Sequence, residues 1–315
     1  MKRIFLQLTL SLIITTLTLT GCANANASNT ANEAGSSDKL SVVATTGQIH
    51  DALHNIAGDT VNLVGLLGPG IDPHLYVPTE GDVGTFSEAD VIVYNGLHLE
   101  AQMVRVLEQM EQRGVVVLAV GDGLPEDQLL DWDTSAFDPH VWNDPMLWSL
   151  GIEAMRDVLV EADPDNADIY NQNTETYLTE IEETHAFVQE QISRIPAEKR
   201  LMITAHDAFG YFARAYGMEV AGLQGISTES EASTADVQNL ATMIVERQVP
   251  AIFVETSVSP RNIEAVQAAV KAQGFEVVIG GSLFSDALDS PGEPASTYIG
   301  MLRHNAQTLA DALSK

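Results

Sequence analysis

Residues 164–194 contain no glycine and no proline after Pro164. Within them Tyr170, Thr174, Tyr177, Ile181, His185, Val188 and Ile192 recur at helical spacing, which predicts one uninterrupted helix. About thirty residues at 1.5 Å each give a rod of about 45 Å. A helix that long serves more than one lobe, and this constrains what can fold on either side of it.

On both sides the pattern alternates. Strands are expected at 40–46, 61–67, 91–94 and 115–120, with helices at 48–58, 80–88, 100–113 and 145–161. After the long helix come strands at 201–204, 220–223, 251–255 and 276–280, with helices at 208–216, 234–247, 260–273 and 297–314. Such alternation implies parallel sheets with helices on their faces. The expected fold is α/β: two lobes, each with a mainly parallel sheet flanked by helices, bridged by one long rigid helix. The expected divisions are an N-terminal lobe at 40–163, a linking helix at 164–194 and a C-terminal lobe at 195–315. Ligands of open α/β sheets sit beyond the carboxyl ends of the strands, here the cleft between the lobes.

The start of the chain reads differently. Lys2 and Arg3 precede an apolar run, and Leu19-Thr20-Gly21-Cys22 follows it. This is the pattern of a secretory signal, 1–21, and it resembles the bacterial lipobox, in which the cysteine becomes the acylated first residue. The run of about 14 residues is shorter than the roughly 20 that a membrane span needs. Residues 22–39 are mostly Ala, Asn, Ser and Gly and read as a flexible tether. Cys22 is the only cysteine, so the exported part has neither a disulfide nor a thiolate metal site.

Acidic residues number 44 against 15 basic ones, a formal charge of −29, and this excludes a nucleic-acid partner, which needs a basic surface. The charge accounts for solubility and by itself identifies no metal site.

Three of the eight histidines fall in loops beside strands or helices. His74 stands in Asp72-Pro73-His74-Leu75-Tyr76 and His140 in Asp138-Pro139-His140-Val141-Trp142. Proline holds the preceding Asp extended and fixes its own φ, so each His leaves the chain in a defined direction. Each Asp either orients its His or caps the helix that follows. His206 ends a strand, and Asp286 lies beyond another. Imidazole and carboxylate together suit Zn²⁺, and Mn²⁺ or Fe²⁺ with less preference. Each loop histidine taken alone reads as a surface or capping residue, and Asp286 as a turn residue. His50 and His54 stand at i, i+4 with no third ligand suggested nearby, while His98, His185 and His304 read as structural. Glu255 ends a strand and reads first as a salt-bridge partner, second as a support for a ligand.

The stretch His206-Asp-Ala-Phe-Gly-Tyr-Phe-Ala-Arg-Ala-Tyr-Gly217, the turn Gly222-Leu-Gln-Gly-Ile-Ser-Thr-Glu-Ser-Glu-Ala-Ser233, both Asp-Pro-His triplets, Phe284-Ser285-Asp286-Ala287 and Thr297-Tyr298-Ile299-Gly300-Met301 with His304-Asn305 resemble one family. It is the TroA-type metal-binding lipoproteins, the cluster A-I solute-binding proteins of zinc and manganese ABC importers. The resemblance runs from about residue 40 to the end. It implies two lobes bridged by a rigid helix with one Zn²⁺ or Mn²⁺ between them, held by His74 and His140 from the first lobe and His206 and Asp286 from the second. It also implies a membrane permease and a cytoplasmic ATPase as partners, a lipid anchor on the outer face of the cytoplasmic membrane, and a monomer. Some zinc-specific relatives carry a histidine-rich acidic loop before the second ligand; residues 121–137 here are acidic and contain no histidine. Several manganese-specific relatives have Glu at the third ligand position, where this chain has His206.

Two other readings compete with transport. A metal-dependent hydrolase keeps one metal position open and has a nearby base, and no His-Glu-x-x-His or Gly-x-Ser-x-Gly motif occurs. A surface adhesin is a label given to some relatives, and no segment here encodes a recognisable protein-binding surface.

Overall fold

In the first lobe, alternate strand residues face two different cores. The computed structural model describes residues 39–314; the signal, the tether and Cys22 lie outside them. Strand β1 (Ser41–Ala44) is followed by helix α1 (Gly47–Ala57), β2 (Asn62–Gly65), α2 (Glu80–Ser87), β3 (Val91–Tyr94), α3 (Val104–Gln112) and β4 (Val116–Ala119). The strands form one parallel sheet in the order β2-β1-β3-β4. Val42, Ala44, Val91 and Val93 point to the side of α1, whereas Val43 and Ile92 point to the opposite side, where Phe86, Leu107 and Met110 pack. Period-two alternation therefore buries both faces, as a sheet covered by helices requires.

Helix α4 (Pro145–Ala162) opens with Asp144, whose carboxylate accepts from the Met146 and Leu147 amides, and with a proline at its first position. The long helix α5 (Ala167–Ser193) follows a short 3-10 turn at Pro164–Asn166. The α-helix thus begins three residues later than the sequence pattern, its first turn being of the tighter 3-10 kind that often opens α-helices. Its 27 residues run about 40 Å at 1.5 Å each. Helix α5 packs on α1 and α4.

The second half repeats the arrangement: β5 (Leu201–Thr204), α6 (Gly210–Tyr216), β6 (Glu219–Gly222), α7 (Thr234–Arg247), β7 (Ala251–Glu255), α8 (Arg261–Ala272), β8 (Val278–Leu283) and α9 (Tyr298–Leu313). Its strands form two parallel pairs, β5-β6 and β7-β8, with β5 lying beside β7. Met202, Ala251 and Phe253 face the α9 side, and Leu201, Ile203 and Ile252 face the α7 and α8 side. Helix α5 also packs against α6 and α9.

The lobes share more than this helix. One apolar core runs through both, taking in Val42, Trp142, Phe209 and Tyr298. The Trp142 indole donates to the Ser285 carbonyl (3.0 Å), and the Tyr298 hydroxyl donates to the Trp142 carbonyl (2.7 Å). The described residues, 39–314, accordingly cluster as one unit.

One element departs from the sequence pattern in a telling way. The helix expected from residue 100 begins at Val104. Glu100 is fully buried instead, and its carboxylate accepts from the Thr45 hydroxyl and the Asn95 and Gly96 amides. A side chain that satisfies loop amides competes with continuing a helix.

Candidate metal site

Both Asp-Pro-His triplets fold into the same local turn. The His74 amide donates to Asp72 Oδ1, and the His140 amide donates to Asp138 Oδ1, each at 2.9 Å. An Asp side chain that bonds the backbone two residues on makes an Asx turn, and the intervening proline stiffens it. His74 follows β2 in the loop that leads to α2, and His140 immediately precedes the turn Val141–Asn143. His206 stands two residues past β5, and Asp286 three residues past β8.

The structure brings these four together, and their donor atoms all lie within 4.8 Å of one another. None is more than 2% exposed. Nε2 of His74 is 3.3 Å from Nε2 of His140. Nε2 of His140 is 3.5 Å from Asp286 Oδ1, and Nε2 of His206 is 3.3 Å from Asp286 Oδ2. Donors held about 2.0–2.1 Å from one ion at tetrahedral corners are about 3.3–3.4 Å apart. These three separations are of that size, the two to Asp286 being made by different oxygens, and the remaining donor pairs lie within 4.8 Å. His206 Nε2 and Asp286 Oδ1 have no hydrogen-bond partner despite full burial. Orphaned buried polar atoms are costly unless something else satisfies them; an ion among these four would do so.

Charged neighbours hold two of the three rings. His140 Nδ1 is 2.7 Å from Asp138 Oδ1. His206 Nδ1 is 2.6 Å from Glu255 Oε2, and the His206 amide donates to Glu255 Oε1 at 2.9 Å. A carboxylate on Nδ1 keeps the proton there and leaves the Nε2 lone pair for the site. Gly210 lets α6 approach this support, since a Cβ there would come 3.0 Å from Asp138 Oδ2. Ser257 donates to Asp286 Oδ2 at 3.2 Å. Trp142 sets its ring edge-on to His140, with centroids 5.4 Å apart.

The electrostatics follow from burial among mixed charges. Burial pushes the His74 imidazole down to about 3, with the Asp286 carboxylate pulling the other way. Burial also works against a charged His206, but the Asp286 and Glu255 carboxylates hold it well above the ordinary imidazole value. Burial alone would raise Asp286; the three histidines hold it well below the usual carboxylate range.

The remaining histidines stand apart from this cluster. His50 and His54 line a neighbouring cavity of about 520 Å³ that also touches Asp286. His185 Nδ1 pairs with the Tyr216 hydroxyl at 3.0 Å, and His304 Nε2 with the Ser282 carbonyl at 3.0 Å. Glu255, read from the sequence chiefly as a salt-bridge partner, meets His206 and no Lys or Arg among the described residues. Sequence reasoning missed Ser257, whose hydroxyl reaches Asp286, and took the turn that holds Thr228 only as part of the family resemblance, without a role for the hydroxyl that reaches Asp72.

Residues 42–312 match the family model described as zinc-uptake complex component A, periplasmic. The zinc-binding protein TroA of Treponema pallidum is 46% identical over 297 residues, covering 94% of this chain and 95% of that protein. The manganese-binding lipoprotein MntA of Bacillus subtilis is 40% identical over 304 residues, covering 96% and 97%. Among solved structures, the periplasmic zinc-binding protein TroA from Treponema pallidum superposes with a TM-score of 0.86, covering 88% of this chain and 100% of that one.

Proposed function

Because the chain belongs to the family of periplasmic zinc-uptake component A proteins, we propose that it is the extracytoplasmic substrate-binding protein of an ABC importer. It captures one Zn²⁺ or Mn²⁺ ion between its lobes through His74, His140, His206 and Asp286, and delivers the ion to a membrane permease driven by a cytoplasmic ATPase. The observation that carries this reading is the convergence of four buried donors within 4.8 Å of one another, two of them without hydrogen-bond partners. The ion is cargo, not a resident cofactor.

The same donor set argues against catalysis. Four protein ligands fill a tetrahedron, whereas a catalytic zinc keeps a position for water. Three imidazoles with one carboxylate favour Zn²⁺ over Mn²⁺ in a direct competition, whichever ion the cell supplies. The chain works as a monomer, with lobes at 40–163 and 195–315 about the helix at 164–194. Acylated Cys22 and the following tether hold it at the outer face of the cytoplasmic membrane. Two or more acyl chains are needed for stable anchoring, and the lipobox pattern is the signal for them. Among the described residues no helix is long and apolar enough to cross a membrane.

Elemental analysis of protein purified without chelator tests the site. One ion per chain is expected, with weaker retention in His206→Ala and Asp286→Ala. Wild-type retention in both variants would overturn the assignment. Cys22→Ala in the full chain is expected to move the protein from the membrane to the soluble fraction without changing its metal content. A variant that stays in the membrane would show that the apolar run itself is the anchor.

A further inference from the structure

The three histidines of the site are not held alike. His140 and His206 each have a carboxylate on Nδ1, from Asp138 and Glu255. Among the described residues no carboxylate lies within ion-pair reach of either ring nitrogen of His74. The two Asp-Pro-His turns share the bond from the His amide to the Asp carboxylate, and they differ in the further partner that each Asp takes. Asp138 turns back onto the ring of its own His. Asp72 instead accepts from the hydroxyl of Thr228, on the other lobe, at 2.6 Å.

Thr228 is itself well placed. It is 5% exposed and sits in the turn between β6 and α7. Gln224 Nε2 donates to the carbonyls of Thr228 (3.4 Å) and Ser230 (3.1 Å), and Asn262 Nδ2 donates to Gln224 Oε1 (3.2 Å). The turn is thereby tied to α8. On the other side, Pro73 has a fixed φ and the His74 amide is bonded to Asp72, so Asp72 and His74 move as one piece. A constraint on the Asp72 carboxylate is a constraint on the ligand.

We infer that the Thr228–Asp72 hydrogen bond is a latch through which the second lobe holds His74 in the metal site and sets the rate at which the ion leaves. The inference rests on the metal-binding reading above. His74 is the ligand that departs first, because it is the only one of the three imidazoles whose ring has no carboxylate behind it. A cavity of about 330 Å³ touches Asp72, Thr228 and Ser257, so Asp72 meets water when the bond opens and does not leave a dry void. Thr228 is a positioning residue: it touches no ion and acts through Asp72.

The test is the rate at which a colorimetric chelator in excess strips Zn²⁺ from the loaded protein. Thr228→Val keeps the shape of the side chain and removes its hydroxyl; Thr228→Ser keeps the hydroxyl. Thr228→Val is expected to release the ion about tenfold faster, the factor that corresponds to about 1.4 kcal/mol, and Thr228→Ser to stay within about twofold of wild type on the same scale. Both are expected to bind one ion, and to give the wild-type visible spectrum with Co²⁺, since the four ligands are unchanged. An unchanged release rate in Thr228→Val overturns the latch, and so does equal acceleration in Thr228→Ser, which would mark a packing effect. Wild-type protein that takes up no ion fails the metal reading itself, a different result from either.

Discussion

Nδ1 of His206 lies 2.6 Å from Oε2 of Glu255, across 49 residues of sequence. The two stand at the ends of β5 and β7, which lie side by side, so the sheet itself delivers the carboxylate to the ring. Glu255 is 3% exposed, and it both anchors the backbone of His206 and lies against Nδ1, which leaves Nε2 facing the cluster of His74, His140 and Asp286.

Glu255→Gln keeps the size and removes the charge. Supports of this kind contribute about 10- to 100-fold to metal affinity. The variant is expected to bind one ion with a Kd raised by a factor in that range, read by competition with a chelator of known affinity. An unchanged Kd would mean that the carboxylate serves the fold alone.

Ion uptake should release a proton from His206. Burial works against a charged His206, but the adjoining carboxylates outweigh it and hold this imidazole above its ordinary pKa, so it keeps its proton to higher pH than a free histidine does. The ion needs the Nε2 lone pair and has to displace that proton. His74, pushed down to about 3 by burial, is already neutral and releases none. Affinity is therefore expected to rise with pH across the neutral range, about tenfold per unit for one proton. Calorimetry in buffers of different ionisation enthalpy counts the protons; a count of zero at neutral pH contradicts this account.

Removing metal should loosen the whole chain, because the four proposed ligands come from segments on both sides of α5. Binding to the native state alone adds about 2.7 kcal/mol at a free-ion level roughly 100 times Kd. For a chain of this size that is a loss of several degrees in Tm on adding a chelator. Identical melting with and without Zn²⁺ or Mn²⁺ would falsify a site that spans the lobes.

His206→Glu tests metal preference. It replaces a borderline nitrogen donor with a hard oxygen, giving two imidazoles and two carboxylates. The ratio of Zn²⁺ to Mn²⁺ affinity is expected to fall about tenfold, or roughly 1.4 kcal/mol. Competitive titration of both ions at one pH measures it, and a ratio that holds or rises would show that this position does not set the preference.

The lobes are expected to move little on binding. Helix α5 contains neither Gly nor Pro, and one core runs through both lobes, joined by the Trp142 and Tyr298 hydrogen bonds. Large hinge motions need a few residues that absorb the φ/ψ change, and neither the helix nor this core supplies them. Small-angle scattering of metal-free and metal-loaded protein should nearly superimpose; a large change in radius of gyration would point to a hinge outside α5.

The sequence by itself carried everything that is written in short-range pattern. Alternating strands and helices set the fold class, because each element's periodicity reflects which of its faces is buried. The glycine-free stretch about Tyr170 and Ile181 announced α5, and repeated Asp-Pro-His turns singled out His74 and His140, since proline fixes geometry within two residues. What it left open depends on contacts between distant segments. Asp72 and Asp138 are indistinguishable in their triplets, yet one holds its own histidine and the other holds Thr228, 156 residues away. Glu255 looked like one more strand-end carboxylate until β5 and β7 came side by side, and Glu100, spaced to begin a helix, was drawn inward by unpaired loop amides. The shared core that makes two lobes one unit was equally invisible, as Trp142 and Tyr298 meet only when both are folded. A buried polar group takes whichever partner the assembled chain places within hydrogen-bonding distance, and that choice is made by tertiary packing, not by its neighbours in sequence.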